Sequence, residues 1–254
     1  MKIYKSKNPN KLKIGALFVM QVLFGALPAI LFILFALGIF QATIDNQDST
    51  RSINYITAYV SAAAIVLCAI AYFILGRRYN VLLSGVRGER SLEKIARKFR
   101  GEYDIFINCP IQYKRSRSEI DMILLGKGGI MIFEVKNHSG TISGTDTDDT
   151  WSQYKHYRDG KSTEGTLKNP IKQITRQRDI LKSIFRAEGL EVWVDSIVYF
   201  SNPLVSLKLS LKSKSSTVCA GEKELEKYIA GYSAPKALSN DEIEKIKEIL
   251  KGLV

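Results

Sequence analysis

Three ionisable side chains with the right chemistry stand close together in this chain: Asp121, Glu134 and Lys136. Between them lies Gly126-Lys127-Gly128-Gly129, flanked on both sides by apolar, β-prone residues. Two such runs around a glycine-rich tetrapeptide predict a β-hairpin. If Gly126 to Gly129 forms the loop, Leu125 faces Ile130, and the same register sets Asp121 opposite Glu134. Side chains alternate along a strand. One face then carries Ile120, Met122, Leu124, Met131, Phe133 and Val135. The other carries Asp121, Ile123, Leu125, Ile130, Ile132, Glu134 and Lys136. Both faces are largely apolar, so these are expected to be central strands. Like charges directly opposed in a sheet repel, and half-burying them costs more. A divalent cation between them removes the conflict, because Mg²⁺ is held by one or two carboxylates together with waters and phosphate oxygens. Lys136 follows Glu134 on the same face, beside that position. The plainer alternative is an exposed Glu134–Lys136 pair with Asp121 as a solvated residue.

Other elements must bring further groups to this hairpin. Ser84 to Arg100 is predicted to be a helix, with Leu92, Ile95, Ala96 and Phe99 at three- and four-residue steps. Glu89 would fall in its first turns, where a Glu is also an ordinary partner of the helix dipole. A strand is expected over Tyr103 to Cys109. Asn169-Pro170 has the form of an N-cap followed by proline at the first helical position. The helix it opens runs to about Arg186, with Gln173 in the first turn; on its own such a Gln is a solvated residue. Further strands are expected over Val192 to Phe200 and Ser213 to Ala220. Helices are expected over Glu222 to Ala230 and Ser239 to Leu250. The last of these has Ile243, Ile246, Ile249 and Leu250 on one face, so it covers a core. Trp151 is read as a packing residue.

These pieces resemble the nuclease-related domain (NERD) family, a branch of the PD-(D/E)xK nuclease superfamily. The resemblance runs from about Ser84 to Phe200. It rests on Gly85-Val-Arg-Gly-Glu89, Ser118-Glu-Ile-Asp121, Phe133-Glu-Val-Lys136, Trp151 and Asn169-Pro-Ile-Lys-Gln173. It implies a restriction-endonuclease-like α/β fold, a mixed sheet flanked by helices. It also implies that Glu89, Asp121 and Glu134 hold Mg²⁺ or Mn²⁺, that Lys136 orients or activates the attacking water, and that Gln173 supports the site. The proline of the superfamily name is missing here, since Glu119-Ile120 precedes Asp121.

The first 76 residues are of another kind. Ile14 to Phe40 and Tyr55 to Leu75 contain no charged residue. Each is long enough for a bilayer core about 30 Å thick, which needs about 20 helical residues. Pro28 and Gly25 predict a kink that lipid tolerates, and the small residues Ser61 to Ala64, Ala69 and Ala71 favour close helix packing. The expected arrangement is a transmembrane hairpin over 1–80 followed by a nuclease-like domain over 81–254. Lys2, Lys5, Lys7, Lys11 and Lys13 precede the first span and Arg77, Arg78, Arg87 and Arg90 follow the second. Between the spans only Arg51 stands, against Asp45 and Asp48. Basic flanks stay in the cytoplasm, which predicts both termini and the soluble domain inside, under the plasma membrane of a prokaryotic cell.

The net charge is +12, of which the residues after 76 carry 31 basic against 23 acidic side chains, or +8. Such a domain attracts polyanions, either nucleic acid or anionic headgroups. Cys68, Cys109 and Cys219 form no paired motif, which fits a reducing compartment and neither a disulfide framework nor a zinc site. His138 and His156 are read as surface residues. The leading expectation is a membrane-anchored, metal-dependent phosphodiesterase acting on DNA ahead of RNA. Two others compete: a non-catalytic nucleic-acid-binding or sensing module, and a scaffold whose basic face binds lipid.

Overall fold

The structure, a computed structural model, describes residues 2–6, 9–45, 47–157, 159–212 and 216–254. Lys7 of the basic flank and the Ser213 start of the expected last strand lie outside them. The chain forms two compact units, one of residues 8–84 and one joining residues 1–7 to 85–254.

In the first unit, α1 (Pro9–Ile44) contains Pro28 and is followed by the start of α2 (Asp48–Ala96). Both helices are long and apolar enough to cross a membrane. They approach closely at small residues: a Cβ on Gly38 would stand 3.0 Å from the Asn54 carbonyl and 3.3 Å from the Ala58 Cβ. Their outward side chains, among them Phe18, Leu23, Ile33, Phe40, Leu67 and Phe73, are exposed. Such a surface suits hydrocarbon, where apolar side chains incur no hydration penalty. The expected break between the second span and the Ser84 helix does not occur. α2 runs unbroken for 49 residues because Gly76, Gly85 and Gly88 lower helix propensity without removing a backbone hydrogen bond. Glu89 therefore sits in the last turns of its helix, not the first, and the helix dipole gives no reason for an acid there.

The second unit is α/β. Its main sheet has the order β1-β2-β3-β4-β8-β10. The strands are β1 (Ile3–Lys5), β2 (Tyr103–Tyr113), β3 (Ser116–Gly126), β4 (Gly129–Lys136), β8 (Val194–Phe200) and β10 (Thr217–Ala220). The pairs β2–β3 and β3–β4 are antiparallel, whereas β1 pairs parallel to β2 and β8 parallel to both β4 and β10. One face packs on α3 (Pro170–Ala187) and α5 (Asn240–Leu253), burying Ile174, Leu181, Phe185, Ile246 and Leu250. The other packs on the end of α2 and on α4 (Glu222–Ala230) through Leu92, Ile95, Leu225 and Ile229. A second sheet, β7-β6-β5-β9, comprises β5 (Gly140–Thr145), β6 (Thr150–His156), β7 (Ser162–Lys168) and β9 (Val205–Ser210). It was not foreseen in the sequence. Trp151 on β6 is fully buried and its indole N–H donates to the Thr145 carbonyl at 2.7 Å, a packing role as expected.

The β3–β4 register is the one read from the hairpin, with Leu125 on Ile130, Leu124 on Met131, Ile123 on Ile132 and Met122 on Phe133. One expected face assignment fails. Ile120 packs with Ile123 and Leu125 on the α3 side, not with Met122 and Leu124. The same change of face occurs across the strand pair: Ile105 and Ile107 lie on one side, Cys109 and Ile111 on the other. The cause is Asn108, which has φ +54 between the pairs Ile107–Met122 and Cys109–Ile120. A left-handed residue breaks the two-residue period that an extended strand would keep.

Candidate active site

The hairpin ladder ends at Met122–Phe133. Beyond it β3 stays with β2, while β4 stays with β8 through Glu134–Val198 and Lys136–Phe200. The two strands part, and the side chain of Asp121 enters the fork. One of its oxygens accepts the Val135 N–H at 2.7 Å, replacing a ladder partner. Asp121 is hemmed in by protein, yet part of its surface reaches solvent. Burial holds its carboxyl well above the usual range. The negative charges of Glu134 and, more weakly, Glu89 push the same way, against the Val135 N–H and the Lys136 ammonium.

Glu134 is 3% exposed. One oxygen takes the Lys136 ammonium at 2.6 Å and the other takes the Gln177 amide at 2.9 Å. Lys136 also donates to the Gln173 side-chain oxygen Oε1 at 3.0 Å. Gln177 is fully buried and also donates to the Glu119 carbonyl at 2.7 Å, tying the fork of β3 to α3. The helix is set in place by its cap: the Asn169 side chain accepts from the Ile171 N–H at 2.9 Å and donates to the carbonyls of Thr145, Asp146 and Asp148. Gln173 and Gln177 are one turn apart, so both reach the β4 side chains.

Glu89 arrives through a close approach. A Cβ on its neighbour Gly88 would stand 2.9 Å from Val135 Cγ1 and 3.2 Å from Ser201 Oγ. Only glycine lets α2 lie this near the end of β4. The structure thus brings Asp121, Glu134, Lys136 and Gln173 into one network, and it sets Glu89 within electrostatic reach of Asp121. Among the described residues, no three His, Cys, Asp or Glu side chains gather as a ready-made metal cage. Gln177 went unread in the sequence, although its i,i+4 spacing from Gln173 was a usable signal. His138 is half-buried, which lowers its pKa below the ordinary imidazole value, and it faces Gln153. Cys109 and Cys219 are buried, and burial pushes each thiol up to about 12.

A mixed sheet between helices thus holds two carboxylates, a lysine and two glutamine amides where two strands part. The family model of the nuclease-related domain matches residues 84–201, which contain Glu89, Asp121, Glu134, Lys136 and Gln173. The chain therefore carries a nuclease-related domain. Neither the curated proteins nor the solved structures contain a significant match.

Proposed function

We propose that this protein is a membrane-anchored, Mg²⁺- or Mn²⁺-dependent nuclease that hydrolyses phosphodiester bonds, in DNA ahead of RNA, on the cytoplasmic side of a prokaryotic plasma membrane. The observation that carries the reading is the buried carboxylate pair at the fork of β3 and β4. Without a cation, Asp121 and Glu134 repel each other in a poorly solvated place. The donor set fits a hydrated Mg²⁺ or Mn²⁺, which keeps several waters and needs only one or two carboxylates; Glu89 is the third candidate. Bound there, the ion would polarise a phosphoryl oxygen and lower the pKa of a water. Lys136, held between Glu134 and Gln173, has a fixed ammonium that orients the attacking water or stabilises charge on the phosphate. Gln177 fixes Glu134, so the lysine and the carboxylate keep their geometry. Beside the site, Lys172 and Arg176 on α3 line a groove of about 540 Å³ together with Asp146 and Asp179, so its charges balance and the attraction for a nucleic-acid backbone comes from the net +8 of the domain.

Support for the topology comes from β1. Ile3–Lys5, before α1, pairs with Ile105–Ile107, after α2, and the Lys2 N–H donates to Asp104 at 2.5 Å. Chain segments that share a sheet lie on the same side of a bilayer, which an even number of crossings allows. The basic flanks then favour the cytoplasm.

The test is cleavage of labelled DNA and RNA by the full chain in detergent, with Mg²⁺, Mn²⁺ or chelator. Metal-dependent cutting that disappears in Asp121→Asn is the expected result. Binding without cutting under any divalent ion would instead favour the non-catalytic module, to which the intact Asp, Glu and Lys give no advantage.

A further inference from the structure

The apolar runs of α1 and α2 do not begin and end level with each other. A Cβ on Gly76 of α2 would stand 2.9 Å from Gln21 Nε2 of α1, and the rings of Phe18 and Tyr79 lie 6.1 Å apart. The two helices run in opposite directions, so Arg77 and Arg78 lie level with Met20 and Val19. Those residues belong to the uncharged run that starts at Ile14. Lys13 stands seven residues before Met20, or about 10 Å along the helix axis. The cationic end of one helix is therefore set beside an apolar stretch of the other.

Between them is a groove of about 590 Å³ with Ala16, Met20 and Val81 as apolar lining and Lys13, Arg77 and Arg78 as its cations. No described carboxylate lines it. Among the described residues, none of the three cationic side chains has an ion-pair or hydrogen-bond partner.

Basic residues after a span are ordinary on the cytoplasmic side. That rule accounts for their number and not for their place against a neighbour's apolar face. Charges in a poorly hydrated place are costly unless paired, and the groove offers these three no acid. The counter-charge must come from outside the chain. A guanidinium matches phosphate in two-point geometry. A free phosphate would leave the apolar lining uncovered, whereas a phosphate that carries acyl chains covers it. A zwitterionic lipid brings its own cation up to Lys13 and the arginines, and an anionic lipid does not.

Resting on the reading of α1 and α2 as membrane spans, we infer that this groove is a binding site for one anionic phospholipid. Lys13, Arg77 and Arg78 hold its phosphate, and its apolar part covers Ala16, Met20 and Val81.

The test is a lipid titration of the full chain in neutral detergent, read as the rise in melting temperature. Phosphatidylglycerol is compared with phosphatidylcholine of the same acyl chains and with glycerol phosphate. A ligand that binds only the folded state raises its stability. A cation near an anionic headgroup is worth about fivefold in affinity. Phosphatidylglycerol should therefore reach half its effect at a concentration at least about tenfold below phosphatidylcholine, and glycerol phosphate should have no effect. Lys13→Gln/Arg77→Gln/Arg78→Gln should abolish the preference. Ala16→Trp keeps every cation but fills the groove, and it should weaken phosphatidylglycerol binding about as much. Arg87→Gln/Arg90→Gln removes two cations of the same flank outside the groove and should keep the preference. Equal response of the wild type to both lipids would overturn the inference. So would a preference lost in Arg87→Gln/Arg90→Gln, which would mean diffuse flank charge, or one unchanged in Ala16→Trp, which would mean that no chain enters the groove. The spans are read separately, by washing membranes that carry the full chain with alkaline carbonate. Release of the chain would remove the span reading and the inference with it. A chain that stays embedded yet shows no lipid preference would remove the inference alone.

Discussion

The β3–β4 hairpin has two ends built on opposite rules. At the closed end, Leu124, Leu125, Ile130 and Met131 are buried at 0–1% exposure and fully paired around the Lys127–Gly128 turn. Gly129 there has φ +123, and a Cβ would stand 2.7 Å from Ala234. At the open end the ladder stops, a carboxylate replaces a backbone partner, and charged groups sit where apolar ones would fold better. The closed end is built for stability and fixes where the open end falls. The open end keeps charged groups buried at a cost to stability, as a functional site of the kind proposed above would.

Changes at the two ends should therefore separate stability from activity. The largest effect is expected from Phe133→Ala, next to the open end but inside the apolar core and 0% exposed. Loss of its contacts should cost about 3–5 kcal/mol, read as a fall in melting temperature of the full chain in detergent. Metal should restore little of it. A variant that folds normally but fails to cut would contradict this division.

Next is Lys136→Ala. Removing one preorganised charge at a developing anion costs about 10²–10³ in rate, so cleavage should fall by two orders of magnitude or more. In chelator the melting temperature should fall as well, because Glu134 is 3% exposed and loses the cation that compensates its charge; Mg²⁺ should restore most of that loss. A lowered melting temperature with cleavage intact would make Lys136 a structural residue.

The same division explains what was legible in the sequence. The hairpin was readable down to its register, because two apolar runs and a glycine-rich turn leave one alignment that buries both faces. The Asn169-Pro170 start of α3 and the Glu222–Ala230 helix were readable from caps and periodicity. The change of face at Asn108 was not, because alternation assumes extended backbone and one left-handed residue cancels it. β1 has three residues and borrows its partners from beyond two long helices, so no local pattern announces it. The second sheet is rich in Ser, Thr and Gly, as in Ser143, Ser152, Gly165 and Thr166, and it lacks the apolar runs that mark strands. The five site residues came from the family resemblance and the hairpin. Gln177 was hidden because a buried Gln on a helix looks like any solvated one until its partners are seen.

A smaller effect, sharper in sign, is the pH response of the metal-free protein. The Asp121 carboxyl is held above its ordinary value in the folded state, chiefly by burial and then by Glu134. Folded protein then binds more protons than unfolded protein in the window above the usual carboxylate pKa. Stability must fall as pH rises through that window and be fully recovered below it. In chelator, the wild type should lose melting temperature between weakly acidic and neutral pH, and Asp121→Asn should lose less. Saturating Mg²⁺ should flatten the wild-type curve, because the ion replaces the proton. A wild-type curve that rises over the same range in chelator would mean that Asp121 ionises freely and that the open end is not strained by charge.

The smallest effect expected is on binding, and it separates chemistry from affinity. Each phosphate contact made by a cation releases condensed counterions and adds about 0.9 to the slope of log K against log salt on duplex DNA. A domain with a net +8 has many cations for this purpose, among them Lys172 and Arg176. Lys136 differs from them: its side chain is only 19% exposed, and its ammonium is bonded to Glu134 and Gln173. A cation already neutralised by a buried carboxylate has little counterion effect left to give. Lys136→Ala should therefore change the salt slope by well under 0.9, whereas Arg176→Ala should lower it by close to that amount while leaving the rate on bound DNA nearly intact. If the order were reversed, with Lys136 carrying a full phosphate's worth of slope and Arg176 none, the open end would be a binding surface, and the contrast between the two ends of the hairpin would have no catalytic meaning.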